Sequence, residues 1–238
     1  MSTRNLAVPN RTLAVGAHAD DIELGSGGTL AKWAGAGSEV HLCVLTDGSK
    51  GSWDPDADPA ELLATRRQEQ EVAAGALGAK AVHFLDFVDG ELHDGLAERA
   101  ELSAVIREVR PEVVLGHDPW KRYRLHPDHR AAGFLTIDAI VAARDPHFYA
   151  GQGAPHRPDA LLLFEAEDQD HVEDVTAHLD QKIAALLEHR TQWLNTMGID
   201  PAHPDQTTFE NRIRDEARAA AEDTPFAMAE AFKRISPL

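Results

Sequence analysis

The sequence predicts an α/β protein, a three-layer Rossmann-like fold with a mostly parallel sheet flanked by helices. Three observations predict it. Short apolar runs of strand length alternate with longer segments of helix length along most of the chain. Glycine, proline and Asp-Gly signals mark the breaks between them. The 238 residues contain no internal repeat and no low-complexity linker, and they suffice to bury a substantial core. The expected organisation is one domain over residues 1–238, with a C-terminal helical part from about 174 to 238 packed on it.

The elements follow in order. Thr12 to Ala17 reads as the first buried strand, and Glu23 to Ala34 as a helix that ends near Gly35-Ala36-Gly37. Glu39 to Thr46 is the second strand, followed by a polar, glycine-bearing loop from Asp47 to Pro55. Pro59 to Leu77 is a long helix that stops at Gly78, and Ala81 to Leu85 is the third strand. After a turn at Asp89-Gly90, Leu96 to Val109 is a helix ended by Arg110-Pro111. Glu112 to Gly116 is the fourth strand, Pro127 to Ala143 a helix, and Leu161 to Phe164 a fifth strand. Thr176 to Glu188 and Phe209 to Ala221 read as helices. Such βα alternation implies a mostly parallel sheet with helices on both faces.

Composition narrows the partners. A net charge of −17 argues against nucleic acid and against an anionic membrane surface. No apolar run approaches the roughly 20 residues of a membrane span, and the first residues do not form a signal peptide. A cytoplasmic location is expected. The single cysteine, Cys43, lies inside the run Val40 to Leu45 and is expected to be a buried small hydrophobe.

Chemistry concentrates at two places. His18, Asp20 and Asp21 lie where the first strand ends and a loop opens, the edge at which ligands bind in open α/β sheets. An imidazole and two carboxylates beside a buried strand are costly unless paired or bound to a metal. The second place is His126-Pro127-Asp128-His129-Arg130. Pro127 favours the first position of a helix, so His126 is at the cap and His129 in the first turn, facing the same side. Topology can bring both imidazoles to the sheet edge that carries His18.

A strand ending in Ala-His-Pro-Asp-Asp and a later His-Pro-Asp-His are the paired signatures of the PIG-L (LmbE-like) zinc-dependent de-N-acetylases, which this chain resembles over most of its length. The second motif matches fully. The first has Ala19 where the family has proline, whose ring would restrict φ and pre-shape the loop. Arg66-Arg67-Gln68-Glu69 is similar to the family's R-x-x-E helix. Thr46-Asp47-Gly48-Ser49-Lys50-Gly51 stands at the family's T-x-G-E-x-G loop, with serine in place of glutamate.

The resemblance implies a Zn2+ ion held by His18, Asp21 and His129, two imidazoles and a carboxylate of the kind zinc prefers. Another divalent transition metal would also suit such a site. It implies Asp20 as general base toward a metal-activated water and His126 as acid or oxyanion stabiliser. Asp128 is a candidate for orienting His126, with a helix-dipole role as the alternative. Arg66 is a candidate substrate-binding residue, with a surface ion pair as the alternative. Trp53, Tyr123 and Arg124 are expected near the mouth, and His189 and Gln192 as supporting groups or a solvated helix face. The remaining histidines, His41, His83, His93, His117, His147, His156, His171, His178 and His203, are expected to be structural.

The implied activity is removal of the acetyl group from an N-acetylated amino sugar, an N-acetylglucosamine derivative. An amidase of a larger acyl or thiol-conjugate substrate is the alternative within the family. A nucleotide-binding protein is disfavoured because Gly25-Ser26-Gly27-Gly28 is followed at position 30 by Leu30, which breaks G-x-G-x-x-G spacing. A non-catalytic sugar-binding module is disfavoured because the core residues of both motifs are present. By analogy with the family, self-association into a homo-oligomer is expected.

Overall fold

The computed structural model describes residues 3–238. Its elements in chain order are β1 (Thr3–Arg4), β2 (Arg11–Gly16), α1 (Asp21–Gly35), β3 (Glu39–Thr46), α2 (Pro59–Leu77), β4 (Ala81–Phe87), α3 (Leu96–Val109), β5 (Val113–His117), α4 (Pro127–Arg144), β6 (Ala160–Phe164), β7 (His171–Asp174), α5 (Leu179–Leu187), α6 (Thr207–Ala220) and β8 (Ala229–Ile235). A 3-10 turn (Arg190–Gln192) and a π turn (Trp193–Met197) follow α5. The fold is the expected α/β class.

One eight-stranded sheet runs in the order β1-β7-β8-β6-β5-β2-β3-β4. All pairings are parallel except those of β8 with β6 and β7. Side chains of a strand alternate between faces, and here both faces are covered. Leu13 and Val15 of β2 pack with Leu102, Ile106, Leu135 and Ala139 of α3 and α4. Ala14, on the opposite face, packs with Leu30 and Trp33 of α1 and with Ala73 and Leu77 of α2. Strands buried on both sides have no polar face to show, which explains their unbroken apolar runs.

Local signals set the helix ends. Asp58 accepts the Ala60 N–H at 2.8 Å, Pro59 opens α2, and Gly78 closes it at φ 78°. Helix α1 begins two residues earlier than the sequence suggests, at Asp21, with Asp20 as its cap. Helix α5 begins later than expected, at Leu179, because Asp174 ends a strand and its carboxylate receives both the N–H and the hydroxyl of Thr176.

The C-terminal segment departs from the helical reading. Strand β8 enters the sheet antiparallel between β6 and β7. Its polar residues hid it. Glu230 is buried and accepts the Gly28 and Thr29 N–H groups and the Lys182 ammonium, the last at 2.7 Å. Strands β1 and β7 are two and four residues long and are held by pairing rather than by apolar content.

The topology creates the crevice. From β2 the chain steps outward to β3 and β4, then crosses back to place β5 on the other side of β2. The loops leaving β2 and β5 therefore diverge, which is the switch point where such sheets bind ligands. No helix among the described residues is long and apolar enough to cross a membrane.

Candidate active site

The loop leaving β2 and the N-terminus of α4 meet at this crevice. Two imidazole nitrogens and the two oxygens of one carboxylate come together there at near-equal separations. His18 Nδ1 lies 3.3 Å from Asp21 Oδ2. His129 Nε2 lies 3.3 Å from Asp21 Oδ1 and 3.3 Å from His18 Nδ1. A cation about 2.0–2.1 Å from tetrahedral N and O ligands separates them by about 3.3–3.4 Å, so this donor set fits a metal ion. The same loop pins the carboxylate, since the His18 N–H donates to Asp21 Oδ2 at 2.7 Å.

The second nitrogen of His18 is also engaged. Nε2 faces Asp89 Oδ1 at 3.1 Å and Asp128 Oδ2 at 3.2 Å. A proton on Nε2 leaves the Nδ1 lone pair free for a metal, the usual arrangement around a ligating histidine. Asp128 is therefore not the partner of His126 expected from the sequence. Its carboxylate accepts the Gly90 N–H at 2.6 Å and faces His18. It acts on His126 through charge alone. Asp128, in the first turn of α4, is buried, whereas His126, before the helix, is exposed.

His129 is stacked between two other imidazoles. Its ring centroid is 4.5 Å from that of His117, with planes 20° apart, and 4.7 Å from that of His126, with planes 21° apart. His117, expected to be structural, is a site residue. It ends β5, is buried, and places Nε2 3.3 Å from Asp21 Oδ2 and Nδ1 3.4 Å from Glu165 Oε2. Its position at a strand end beside Asp118-Pro119 was the available signal. Asp89 and Glu165 also reach the site, and neither belongs to the two motifs. Arg124 is buried rather than at the mouth, donates to Glu165 Oε2 at 2.8 Å, and places Nη1 3.2 Å from His129 Nδ1.

Asp20 points into the same cavity as the triangle, a pocket of about 450 Å³ that also touches Trp53, His126 and Gln192. Burial and the adjacent Asp21 charge push its carboxyl up to about 6, against the pull of the Arg66 guanidinium. Burial works to raise Asp21 too, but the imidazoles of His129 and His117 outweigh it and hold that carboxyl well below the usual range. Two adjacent carboxylates are thus driven apart in acidity by their surroundings. Burial opposes charge on His18, yet Asp128, Asp21 and Asp89 together raise it well above its ordinary value. Burial lowers His129 to about 4. Burial and the His18 charge lower His126.

Arg66 lines the pocket but is tied to the backbone, donating to Gly48 O at 3.1 Å and Ala19 O at 2.9 Å. His189 is fully buried behind Asp20, with Nε2 3.6 Å from Glu23 Oε2, and Gln192 donates to Gly51 O at 3.0 Å. Neither lies on a solvated helix face. Trp53 is at the rim, 75% exposed, and Tyr123 is 85% exposed.

Comparison with known proteins gives consistent results. The family model PIG-L, described as GlcNAc-PI de-N-acetylase, matches residues 13–140. The chain is 37% identical over 188 residues to diacetylchitobiose deacetylase of Thermococcus kodakarensis, covering 77% of this chain and 70% of that one. It is 32% identical over 232 residues to 1D-myo-inositol 2-acetamido-2-deoxy-alpha-D-glucopyranoside deacetylase of Mycolicibacterium vanbaalenii, covering 76% of this chain and 80% of that one. The solved structure of N,N'-diacetylchitobiose deacetylase from Pyrococcus horikoshii superposes with a TM-score of 0.86 at 29% identity, over 96% of this chain and 84% of that one.

Proposed function

The chain belongs to the PIG-L family of de-N-acetylases, and from that premise we propose that it is a zinc-dependent hydrolase removing the acetyl group from a small N-acetylated amino sugar, an N-acetylglucosamine derivative. The observation that carries the reading is the triangle of His18 Nδ1, His129 Nε2 and the Asp21 carboxylate, whose two oxygens each lie 3.3 Å from one of the imidazole nitrogens, opening onto the cavity that holds the Asp20 carboxyl.

His18, Asp21 and His129 would hold the ion. When bound, it supplies Lewis acidity and brings the pKa of a water toward about 7. Asp20, with its carboxyl raised to about 6, takes the proton of the attacking water near neutral pH. Oxygen attack at the amide carbon places negative charge on the carbonyl oxygen, and a His126 ring N–H donates to that oxygen at the rim of the cavity. The proton collected by Asp20 passes to the amine nitrogen as the C–N bond breaks, giving acetate and the free amino sugar. Asp89 and Asp128 keep His18 in the tautomer that presents Nδ1. Trp53 offers an exposed ring on which a sugar face can stack.

The test is acetate release from a panel of N-acetylglucosamine derivatives, including diacetylchitobiose and the inositol conjugate, with chelated and zinc-restored protein side by side. Zinc-restored release from any member supports the reading. Equal release by the chelated protein overturns the metal role. Release only from larger acyl amides moves the assignment to an amidase.

A further inference from the structure

Two side chains of α2, one helical turn apart, reach the same peptide bond. Arg66 Nη2 donates to the Ala19 carbonyl at 2.9 Å, and the Asp20 N–H donates to Gln70 Oε1 at 3.3 Å. The carbonyl and the N–H belong to one planar unit, the Ala19–Asp20 peptide. Residues four apart on a helix share a face, so a single helix face supplies both partners.

Rotation of that peptide plane changes ψ at residue 19 and φ at residue 20. Asp20 sits at φ 97°, ψ −29°, a left-handed conformation that residues with a Cβ adopt rarely. Such a conformation persists only where the surroundings over-determine it. Ala19 carries no ring to restrict its own φ. The two hydrogen bonds from α2 therefore fix the plane, and with it the direction in which the Asp20 carboxylate leaves the chain.

The clamp is itself anchored. Gln70 is fully buried and its amide donates to Glu23 Oε1 at 2.6 Å. Arg66 Nη1 donates to Gly48 O, and the guanidinium fills space that only glycine leaves open: a Cβ on Gly51 would stand 1.9 Å from Nη1. Three residues along α2 from Arg66, Glu69 accepts the Thr191 N–H at 3.0 Å and its hydroxyl at 2.6 Å. Both terminal nitrogens of Arg66 thus serve backbone carbonyls, which is the geometry of a brace more than of a hand held out to substrate.

We propose that Arg66 and Gln70 are positioning residues that lock the Ala19–Asp20 peptide and so aim the Asp20 carboxylate into the cavity. The proposal rests on Asp20 being the base of the reaction proposed above. It assigns Gln70 a role in turnover without any contact to substrate, and it moves Arg66 from substrate binding to positioning.

The experiment combines amide exchange with kinetics on the zinc-loaded protein. Deuterium exchange at the Asp20 amide, read by NMR, is compared between the parent and Gln70→Leu, alongside kcat, KM for diacetylchitobiose and zinc affinity. The expected result is exchange at least about tenfold faster and kcat lower by about 10- to 100-fold, with KM and zinc affinity within about twofold, since misplacement of a reacting group by about 1 Å has effects of that size. Arg66→Met, which can donate to neither Gly48 nor Ala19, carries the same expectation and replaces Gln70→Leu if that variant does not fold. A raised KM with kcat unchanged would make either residue a substrate contact and overturn the proposal. Faster exchange with kcat unchanged would overturn it as well. Absence of acetate release from the parent itself would sink the functional reading, while slow exchange at Asp20 that both variants abolish would still establish the clamp.

Discussion

His129 lies face to face with His117, ring centroids 4.5 Å apart and planes 20° from parallel. One ring comes from the N-terminus of α4 and the other from the end of β5, so the contact joins the candidate metal ligand to the sheet. His117 Nε2 is also 3.3 Å from Asp21 Oδ2, which lets one buried side chain order two candidate ligands at once.

His117→Ala removes the stack and the neighbour of Asp21. We expect zinc affinity to fall by roughly 10- to 100-fold, the usual effect of losing an outer partner of a ligand. Competition with a chromogenic chelator measures it, and an unchanged affinity would return His117 to a structural role.

Asp20→Asn keeps the candidate metal donors and removes the proposed base. Zinc content should remain at the parent level while kcat falls by about 10²- to 10⁴-fold. His129→Ala and Asp21→Ala should lose metal as well as turnover. Metal analysis beside acetate release separates the two classes, and full zinc retention by His129→Ala would break the ligand assignment.

Arg107 is buried and donates to the carbonyl oxygens of Ala142, Ala143, Asp145, Phe148 and Tyr149. It thereby closes the end of α4 and the loop that follows. Arg107→Met keeps the aliphatic stem and strands those carbonyls, so we expect a loss on the order of 3 kcal/mol. Urea unfolding reads it. A loss within about 0.5 kcal/mol, the range of ordinary surface changes, would show that water replaces the guanidinium.

Burial works to raise the Glu173 carboxyl, but the hydrogen bond with His171 and the Lys32 ammonium at 2.5 Å outweigh it and hold it below its ordinary value. A depressed carboxylate contributes stability that is present above its unfolded pKa and is lost as pH falls through the folded one. The parent should therefore lose stability on acidification below the ordinary glutamate range, and Glu173→Gln should lose less over the same interval. Urea midpoints at pH 7 and at a pH below the ordinary glutamate range make the comparison.

Burial pushes the Cys43 thiol up to about 12. The folded protein should not react with a disulfide reagent near neutral pH and should titrate one thiol once unfolded. Fast reaction of the native protein would contradict the burial of β3.

Periodicity located the three-layer fold because β2, β3, β5 and β6 are apolar on both faces and carry their own signal. It missed β7 and β8, whose polar residues Glu173 and Glu230 are paired with Lys32 and Lys182 across the fold. Pairing partners 141 and 48 residues away leave no local pattern. His18, Asp20, Asp21, His126 and His129 were legible because two short motifs gather them at element ends.

The sequence by itself determined the types of the central elements, the sheet edge at which the chemistry lies and the residue types that can hold a metal, since these follow from local patterns of burial and capping. Only the tertiary structure decided the partnerships. It turned Asp128 toward His18, brought His117 and Glu165 to the site, and drew Arg66 and Gln70 onto the Ala19–Asp20 peptide. Those pairings depend on which strand ends the crossover from β4 to β5 makes neighbours, and on the angle at which each side chain leaves its element. Both are properties of the packed chain as a whole.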